Sequence, residues 1–403
     1  MSPSPLPVDN ATTPFWRSEP HPLDNHRSTP DLPAQVDIAI IGAGYAGVAT
    51  VYHILEQCKA RGAPAPRIVI LEARQACSGA TGRNGGHLKP DPYNRPAGLL
   101  ATYGIEAAAE AAEFEAKNLA AVKKVIEKEG VDCDFVYTRA VDALMSDDIL
   151  EKIKSGVDAL RQNGVSVMQD VYFAQGAEAE QLSGVKGAKG CFSYTAGHCW
   201  PYKLILQLLS KAVDANVSLQ TNTPVTAVTA KPDKDGHLTL TTPRGSIRAA
   251  KIIYATNAYT SSILPEFVDK IVPNNVNDDK LIESAKNYFD GYMQRVFHGW
   301  EGSGAYTSKV WTGVMGYSSD GLPHIGAVPG RRNQYMLAGF TGHGMPQIFL
   351  SAKGVASMVM EGLSYEKTGI PKLYKASQER LDSPNNTILD TWKTVQRREG
   401  AKL

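Results

Sequence analysis

Six residues constrain this chain more than any others: Gly42-Ala43-Gly44-Tyr45-Ala46-Gly47, set between the apolar run 36–41 and a segment, 48–62, whose apolar residues recur at helical spacing. An apolar run of strand length, a glycine turn and a helix, in that order, predict the opening of a βαβ unit that binds a dinucleotide. Each glycine has its own reason. Gly42 permits the sharp turn, Gly44 lets the backbone approach a pyrophosphate, and Gly47 lets the helix pack closely on the strand. The unpaired amides and positive end of the helix then face the phosphates. The run 67–71 reads as a second strand and ends at Glu72, thirty positions beyond Gly42. A carboxylate there can accept both ribose hydroxyls and disfavours a 2′-phosphate.

Further blocks narrow the choice of dinucleotide. After Glu72 come Ala73, Arg74 and the loop Ala80-Thr81-Gly82-Arg83-Asn84-Gly85-Gly86-His87. So many glycines let backbone lie against a planar ring, with Thr81 and Asn84 adding polar contacts. Near the other end stand 320–326 (DGLPHIG, with Gly321 and Gly326) and 339–346 (GFTGHGMP, with Gly339, Gly342, His343, Gly344 and Met345). The second of these precedes an apolar, helix-like stretch, 347–360, so amides and a helix start would be available to a bound acceptor group there. Between them lie 196–204, Val225 at the start of a predicted strand, and 252–260, which holds Thr256, Asn257 and Ala258.

Taken together, these blocks resemble the FAD-dependent amine and amino-acid oxidoreductases of the D-amino-acid oxidase superfamily, over about residues 36–380. The form TGRNGGH at 81–87 is most similar to the gamma-glutamylputrescine-oxidase-like branch and its fungal relatives. The resemblance implies an α/β fold: an FAD-binding Rossmann-type domain with an interleaved α+β substrate domain. It implies hydride transfer from the carbon beside an amine nitrogen to flavin N5, with an amine or amino acid as substrate and oxygen or another electron acceptor. Arg83, His87 and His343 are the expected active-site groups. Arg83 would pair with phosphates or hold a carboxylate, and His343 would hydrogen-bond flavin or substrate, while Tyr259 and Tyr317 wall the pocket. Residues 311–316 lack the cysteine that links flavin in sarcosine-oxidase-like relatives. Noncovalent FAD is therefore expected, with His87 a polar neighbour of the ring or, as in dimethylglycine-dehydrogenase-like relatives, a covalent link. No metal site is expected.

The expected domains are an extended polar arm (1–35) whose Trp16 offers one packing contact, and an FAD-binding domain from 36–100, 201–260 and 311–360. A substrate domain from 130–200 and 261–310 follows, and a tail, 361–403. The substrate domain reads as incomplete. In the family the strand ending ATNAY leads to a proline segment and several further strands, whereas here only 37 positions separate Pro273 from Trp311 and most of them, 278–299, read as one helix. Lost strands would expose backbone edges, and an inactive FAD-binding isoform is the alternative reading. An NAD-dependent dehydrogenase is a weaker one. Elsewhere, 102–129 and 148–163 read as helices, and the runs at 225–230, 237–242, 246–250 and 251–256 as strands.

Composition excludes other classes. With 42 basic against 41 acidic residues and no long charge run, the chain lacks the footprint of a nucleic-acid binder. No window of eighteen uncharged apolar residues predicts a membrane span. Five cysteines without metal-knuckle spacing fit free thiols in a reducing compartment. The cytoplasm is the expected location, although Ala401-Lys402-Leu403 resembles a peroxisomal address.

Overall fold

The computed structural model describes residues 6–274, 277–281 and 287–400, with the side chains of 395–400 excepted. In the larger sheet β1 (Gln35–Ile41) is central because both its faces find apolar cover. Ile38 and Ile40 enter one core, and Val36, Ala39 and Ile41 the other. A strand buried on both faces is a near-continuous apolar run, the pattern read at 36–41. β2 (Ile68–Leu71) divides between the two cores in the same way.

β1 pairs in parallel with β2 on one side and β10 (Gly245–Tyr254) on the other. β7 (Ser218–Gln220) and β14 (Gln334–Ala338) extend the sheet in parallel, and β13 (His324–Ala327) closes one edge antiparallel. β8 (Ala227–Val228) and β9 (Leu238–Thr242) hang from the first half of β10. The two strands expected at 246–256 are therefore one, which changes neighbours along its length. α1 (Tyr45–Ala60) packs against α6 (Pro201–Asp214) and against the helix Ile348–Glu361. Strand order reverses at β1, because β2 follows it through α1 while β10 arrives from far along the chain. Open α/β sheets bind ligands at the carboxyl ends of strands at such a point.

A second sheet centres on β6 (Gly190–His198). β4 (Val136–Leu144) pairs along one edge, and β3 (His87–Leu88) and β5 (Tyr172–Gln175) share the other. α2 (Asn94–Tyr103) and α3 (Ile105–Glu129) divide at Gly104, where φ is +86°. Among the described residues the outer edge of β4 has no partner strand, and Val136, Tyr137 and Val141 on it are exposed.

Three expected segments differ from the structure. The amino-terminal arm is not extended but anchored. The Trp16 ring packs edge-on against Trp200 at 5.6 Å, Tyr202 Oη donates to Asp24 Oδ1 at 2.8 Å, and the Ser28 amide donates to Leu219 O. Its prolines limit regular structure to the 3-10 turn Phe15–Arg17, so most of its polar groups are satisfied one at a time by the body. The carboxy-terminal tail is likewise part of the core: Tyr365, Ile370 and Tyr374 are buried. The single helix expected over 278–299 is not formed. Its 282–286 part lies outside the described residues; residues 287–288 are helical, but Gly291, at φ +61°, separates them from the short helix Tyr292–Val296.

No helix among the described residues is long and apolar enough to cross a membrane. All five cysteines are buried free thiols. Ala401, Lys402 and Leu403 lie outside the described residues.

Candidate active site

A cavity of about 440 Å³ opens at the carboxyl ends of β1, β2 and β10, with Ile41, Leu71 and Ala255 at its floor. The glycine turn shapes one wall. A Cβ on Gly42, whose φ is +114°, would stand 2.6 Å from Ala255 O, and one on Gly47 would stand 2.0 Å from Gly42 O. Gly47 thus sits behind the wall and lets α1 press on the turn. No side chain caps α1 at Gly44, and Gly44, Tyr45 and Ala46 border the cavity. The Tyr45 amide donates to Thr81 Oγ1 at 2.9 Å, which joins the helix start to the second glycine loop.

Glu72 and Ala73 line the cavity beyond β2, with Val225. The Glu72 carboxylate accepts from the Ala43 amide at 2.8 Å and the Arg74 amide at 3.0 Å, one on each oxygen. Each oxygen retains a lone pair for a further donor. Ala80, Thr81, Asn84 and Gly85 line the same space. Gly82 and Gly86 do not: a Cβ would lie 2.3 Å from Cys77 O at Gly82 and 2.5 Å from Cys199 O at Gly86, so both serve turn packing.

Thr256, Asn257 and Ala258 line the opposite side with Gly342, Gly344 and Met345. Asn257 Oδ1 accepts from the Gly339 and Phe340 amides at 3.1 and 3.2 Å, clamping the two segments together. The loop it grips holds Gly339, Thr341 and Gly342 all at positive φ, +71°, +53° and +73°. A threonine there is strained by about 1 kcal/mol or more, and strain of this kind gathers at functional loops. Gly339 itself packs on Ile271 behind the wall.

Two other expected cofactor contacts are elsewhere. Gly326 lies against Tyr365, whose ring would be 2.9 Å from an added Cβ, and Gly321 turns the chain at φ +76°, outside both cavities. Their segment is secured by Asp320. Burial opposes the Asp320 charge, but the Arg380 guanidinium, at 2.8 and 2.9 Å, outweighs it and brings the carboxyl down to about 2. Tyr259 lines the first cavity, whereas Tyr317 packs against Trp392, away from it.

Arg83 needs the largest correction. Arg83 borders the first cavity, but its guanidinium is buried and occupied. Nε donates to Ser78 O, Nη1 to Thr312 O and Thr12 Oγ1, and Nη2 to Thr12 O, at 2.6 to 3.0 Å, and Asp278 lies 3.1 Å from Nε. Arg74 meets the same Asp278 through two bonds of 2.9 and 3.0 Å. Burial, with the neighbouring Arg74 charge set against the pull of Asp278, brings Arg83 down to about 10. Arg83 therefore straps the loop to the amino-terminal arm and the segment after Pro273.

His87 and His343 line a second cavity, of about 480 Å³, which shares Asn84, Gly85, Gly342 and Met345 with the first. Burial, then Lys89 and His198, hold the His87 imidazole below its ordinary value, which favours its neutral form. His343 Nε2 donates to Glu115 Oε2 at 2.8 Å. Glu115 is 2% exposed and also accepts from Gln347 Nε2 and the Asp91 amide, both at 2.7 Å. Opposite them, Lys89 Nζ and the hydroxyls of Tyr93 and Tyr194 converge on Asp142. Sequence reasoning missed Lys89, Tyr93, Glu115, Asp142 and Tyr194. Lys89 had one local signal, its place two positions after His87 on the same face of an extended segment.

The model of the FAD dependent oxidoreductase family matches residues 37–276. The chain belongs to that family. Gamma-glutamylputrescine oxidoreductase of Escherichia coli (strain K12) is 22% identical over 248 residues, 59% of this chain but only 53% of that protein, so the match spans about half of the curated relative. The fold is similar to that of L-amino acid deaminase from Proteus myxofaciens, solved in complex with anthranilate: TM-score 0.69, 14% identity, 93% of this chain and 98% of that one. It is similar to glycine oxidase from Bacillus cereus ATCC 14579 (0.66, 16%, 83% and 98%). L-proline dehydrogenase from P. horikoshii gives 0.65, 18%, 86% and 98%.

Membership of the FAD dependent family sets aside NAD as the resident dinucleotide. The first cavity fits FAD by its donor set. Helix-start amides other than that of Tyr45 can meet a pyrophosphate, the spare lone pairs of Glu72 can meet ribose hydroxyls, and a wall of glycine backbone can meet the ring.

Proposed function

We propose that the chain oxidises the C–N bond of a small amine or amino acid, with FAD held noncovalently in the first cavity and the substrate in the second. The observation that carries this reading is the shared wall. A backbone-lined cavity suited to a dinucleotide and a polar cavity suited to a small charged molecule meet at Asn84, Gly85, Gly342 and Met345. The flavin, when bound, supplies the hydride acceptor. The protein's residues bind and orient. Asn257 fixes the loop between the cavities, Glu115 fixes the His343 imidazole, and neutral His87 can accept or donate one hydrogen bond to substrate. His87 faces the second cavity, which supports its role as a polar neighbour over that of a covalent link.

The gamma-glutamylputrescine-oxidase-like branch remains our preferred placement, supported by the 81–87 loop and the E. coli relative. A second reading, an FAD-binding chain that turns over nothing, draws on the open edge of β4. It accords with an incomplete substrate sheet, although the solved relatives above are spanned over 98% of their length.

The test is the visible spectrum of the purified protein, before and after denaturation, followed by an amine and amino-acid panel. Flavin bands that move to the supernatant, with turnover of a panel member, are expected. Bands retained by the polypeptide would establish a covalent link instead. Flavin without turnover of any amine would favour the inactive reading, and a chain that refuses added FAD would overturn both.

A further inference from the structure

The amino-terminal arm is held to the body in two different ways. From Pro14 to Ser28 it is anchored. Pro14, Leu23 and Asp24 are buried, the Trp16 indole donates to Asn84 O, and Trp200 Nε1 donates to Trp16 O at 2.6 Å. None of residues 6–13 is buried, yet Leu6 and Pro7 line the first cavity. Leu6 is 37% exposed, so it faces both the cavity and solvent and stands on the rim. The arm precedes the residues that match the family model, so it is no part of the shared nucleotide-binding unit.

What keeps residues 6–13 against the body is polar. The Val8 carbonyl accepts from Arg74 Nη1 at 2.9 Å. The Thr12 carbonyl and Oγ1 accept from Arg83 Nη2 and Nη1 at 2.6 and 3.0 Å, while the Thr12 amide and Oγ1 donate to Asp278 O at 2.7 and 2.9 Å. The attraction has a plain cause. Arg74 and Arg83 are buried and share one carboxylate, Asp278, so this cluster sets two positive charges against one negative. A buried guanidinium donor without an acceptor is costly, and among the described residues the Thr12 carbonyl is the one hydrogen-bond acceptor of Arg83 Nη2. Arg74 and Arg83 also border the first cavity, so whatever fills that cavity and whatever closes it lean on the same two side chains.

We propose that residues 6–12 are a clasp on the first cavity, which swings out from the anchor at Pro14 to admit FAD and closes over it with Thr12 as the latch on Arg83 and Asp278. This rests on the FAD-binding part of the reading above and not on turnover. Closure slows entry as well as escape, because a cavity open for part of the time accepts ligand only in that fraction. An arm that merely touched bound FAD would slow escape alone.

The experiment follows FAD uptake by apoprotein and FAD release from loaded protein, by flavin fluorescence, in the wild type, in a chain lacking residues 2–11 and in Thr12→Val. The deletion keeps Thr12 and the Trp16 anchor, and among the described residues it removes one hydrogen bond to the body, that of the Val8 carbonyl. Thr12→Val keeps the lining residues and weakens only the latch. Uptake and release should both quicken, by about 10- to 100-fold in the deletion and about 10-fold in Thr12→Val, the weight of a hydrogen bond to a charged group. Hydrogen exchange reads the unaltered protein. The Thr12 amide should exchange about 10-fold more slowly with FAD bound than without, because arm and cofactor stabilise each other reciprocally. Faster release with unchanged uptake overturns the clasp and leaves Leu6 and Pro7 as plain contacts. Unchanged rates in both variants, or a Thr12 amide indifferent to FAD, overturn it and leave the FAD site standing. A wild type that takes up FAD only once residues 2–11 are removed supports the clasp, whereas a chain that takes none with or without them overturns the clasp and the FAD reading together.

Discussion

The two cavities share a wall and are made in opposite ways. The first is shaped chiefly by backbone, with apolar side chains and Glu72 around it: the glycine turn, the first amides of α1, the 80–85 loop and the segment of Phe340, Gly342 and Gly344. The second is built of side chains from distant places: Lys89 and Tyr93 after β3, Asp142 on β4, Tyr194 on β6 and His343 between the cavities. A site made of backbone forbids side chains at fixed places, and the sequence shows this as glycines at fixed spacing. A site made of side chains needs only that a sheet bring them together. Asp142 stands opposite Phe192 in the β4–β6 register and Ala140 opposite Tyr194, so Asp142 and Tyr194 are diagonal neighbours on one face. No local pattern announces such a pair.

The largest expected effect would break the simple form of that contrast, because one side chain also underpins the first cavity. Asp278→Ala leaves the buried guanidiniums of Arg74 and Arg83 without their shared carboxylate. Breaking a buried pair in this way costs about 3–5 kcal/mol. Urea unfolding should show a loss of that size together with weaker flavin retention. A loss under about 1 kcal/mol, at the level of an exposed ion pair, would mean that the backbone alone suffices.

Acid should act chiefly on the body around the first cavity. His53 on α1 and His324 on β13 are buried, and burial lowers both to about 3 from an ordinary 6.5. Between those values the unfolded chain binds protons that the folded one refuses, so stability falls as pH drops below about 6.5. Each imidazole contributes a slope of up to about 1.4 kcal/mol per pH unit, and the two together about twice that. Thermal unfolding from pH 7 to pH 4.5 checks the sign, and His53→Gln should halve the slope. A midpoint that is flat or rises on acidification would contradict the assignment.

Gly42→Ala tests the backbone side of the comparison directly. The added methyl meets Ala255 O at 2.6 Å on a residue at φ +114°. A cost of about 1–3 kcal/mol is expected, with FAD retention weakened in the same variant. Retention equal to wild type would show that the turn is only structural.

The same contrast explains what was legible in the sequence. Strand, turn, helix and second strand around Gly42 are one continuous stretch, and their order alone gave the central sheet and the place of the first cavity. Arg83 was chemically well suited to a carboxylate, but its partners Thr12 and Asp278 lie 71 and 195 positions away, one in an arm that reads as unstructured. The helix expected over 278–299 failed at Gly291, where one left-handed residue outweighed favourable helical composition on both sides. Gly321 and Gly326 carry the family pattern, yet they serve a turn and the Tyr365 contact. Spacing could not distinguish those uses from cofactor contact.

The smallest expected effect probes the side-chain cavity. Tyr93→Phe removes one of the three side-chain donors on Asp142 and leaves the ring in place. The stability cost should be about 1 kcal/mol, that of a single hydrogen bond. The functional cost has a definite direction. Asp142 with fewer donors leaves the side chains around the second cavity less firmly placed, so KM for an amine that the panel identifies should rise by about 3- to 10-fold. The flavin spectrum and FAD retention should remain those of the wild type, since Tyr93 lines only the second cavity. A Tyr93→Phe enzyme that loses flavin would mean that the shared wall couples the two cavities more strongly than their separate construction suggests.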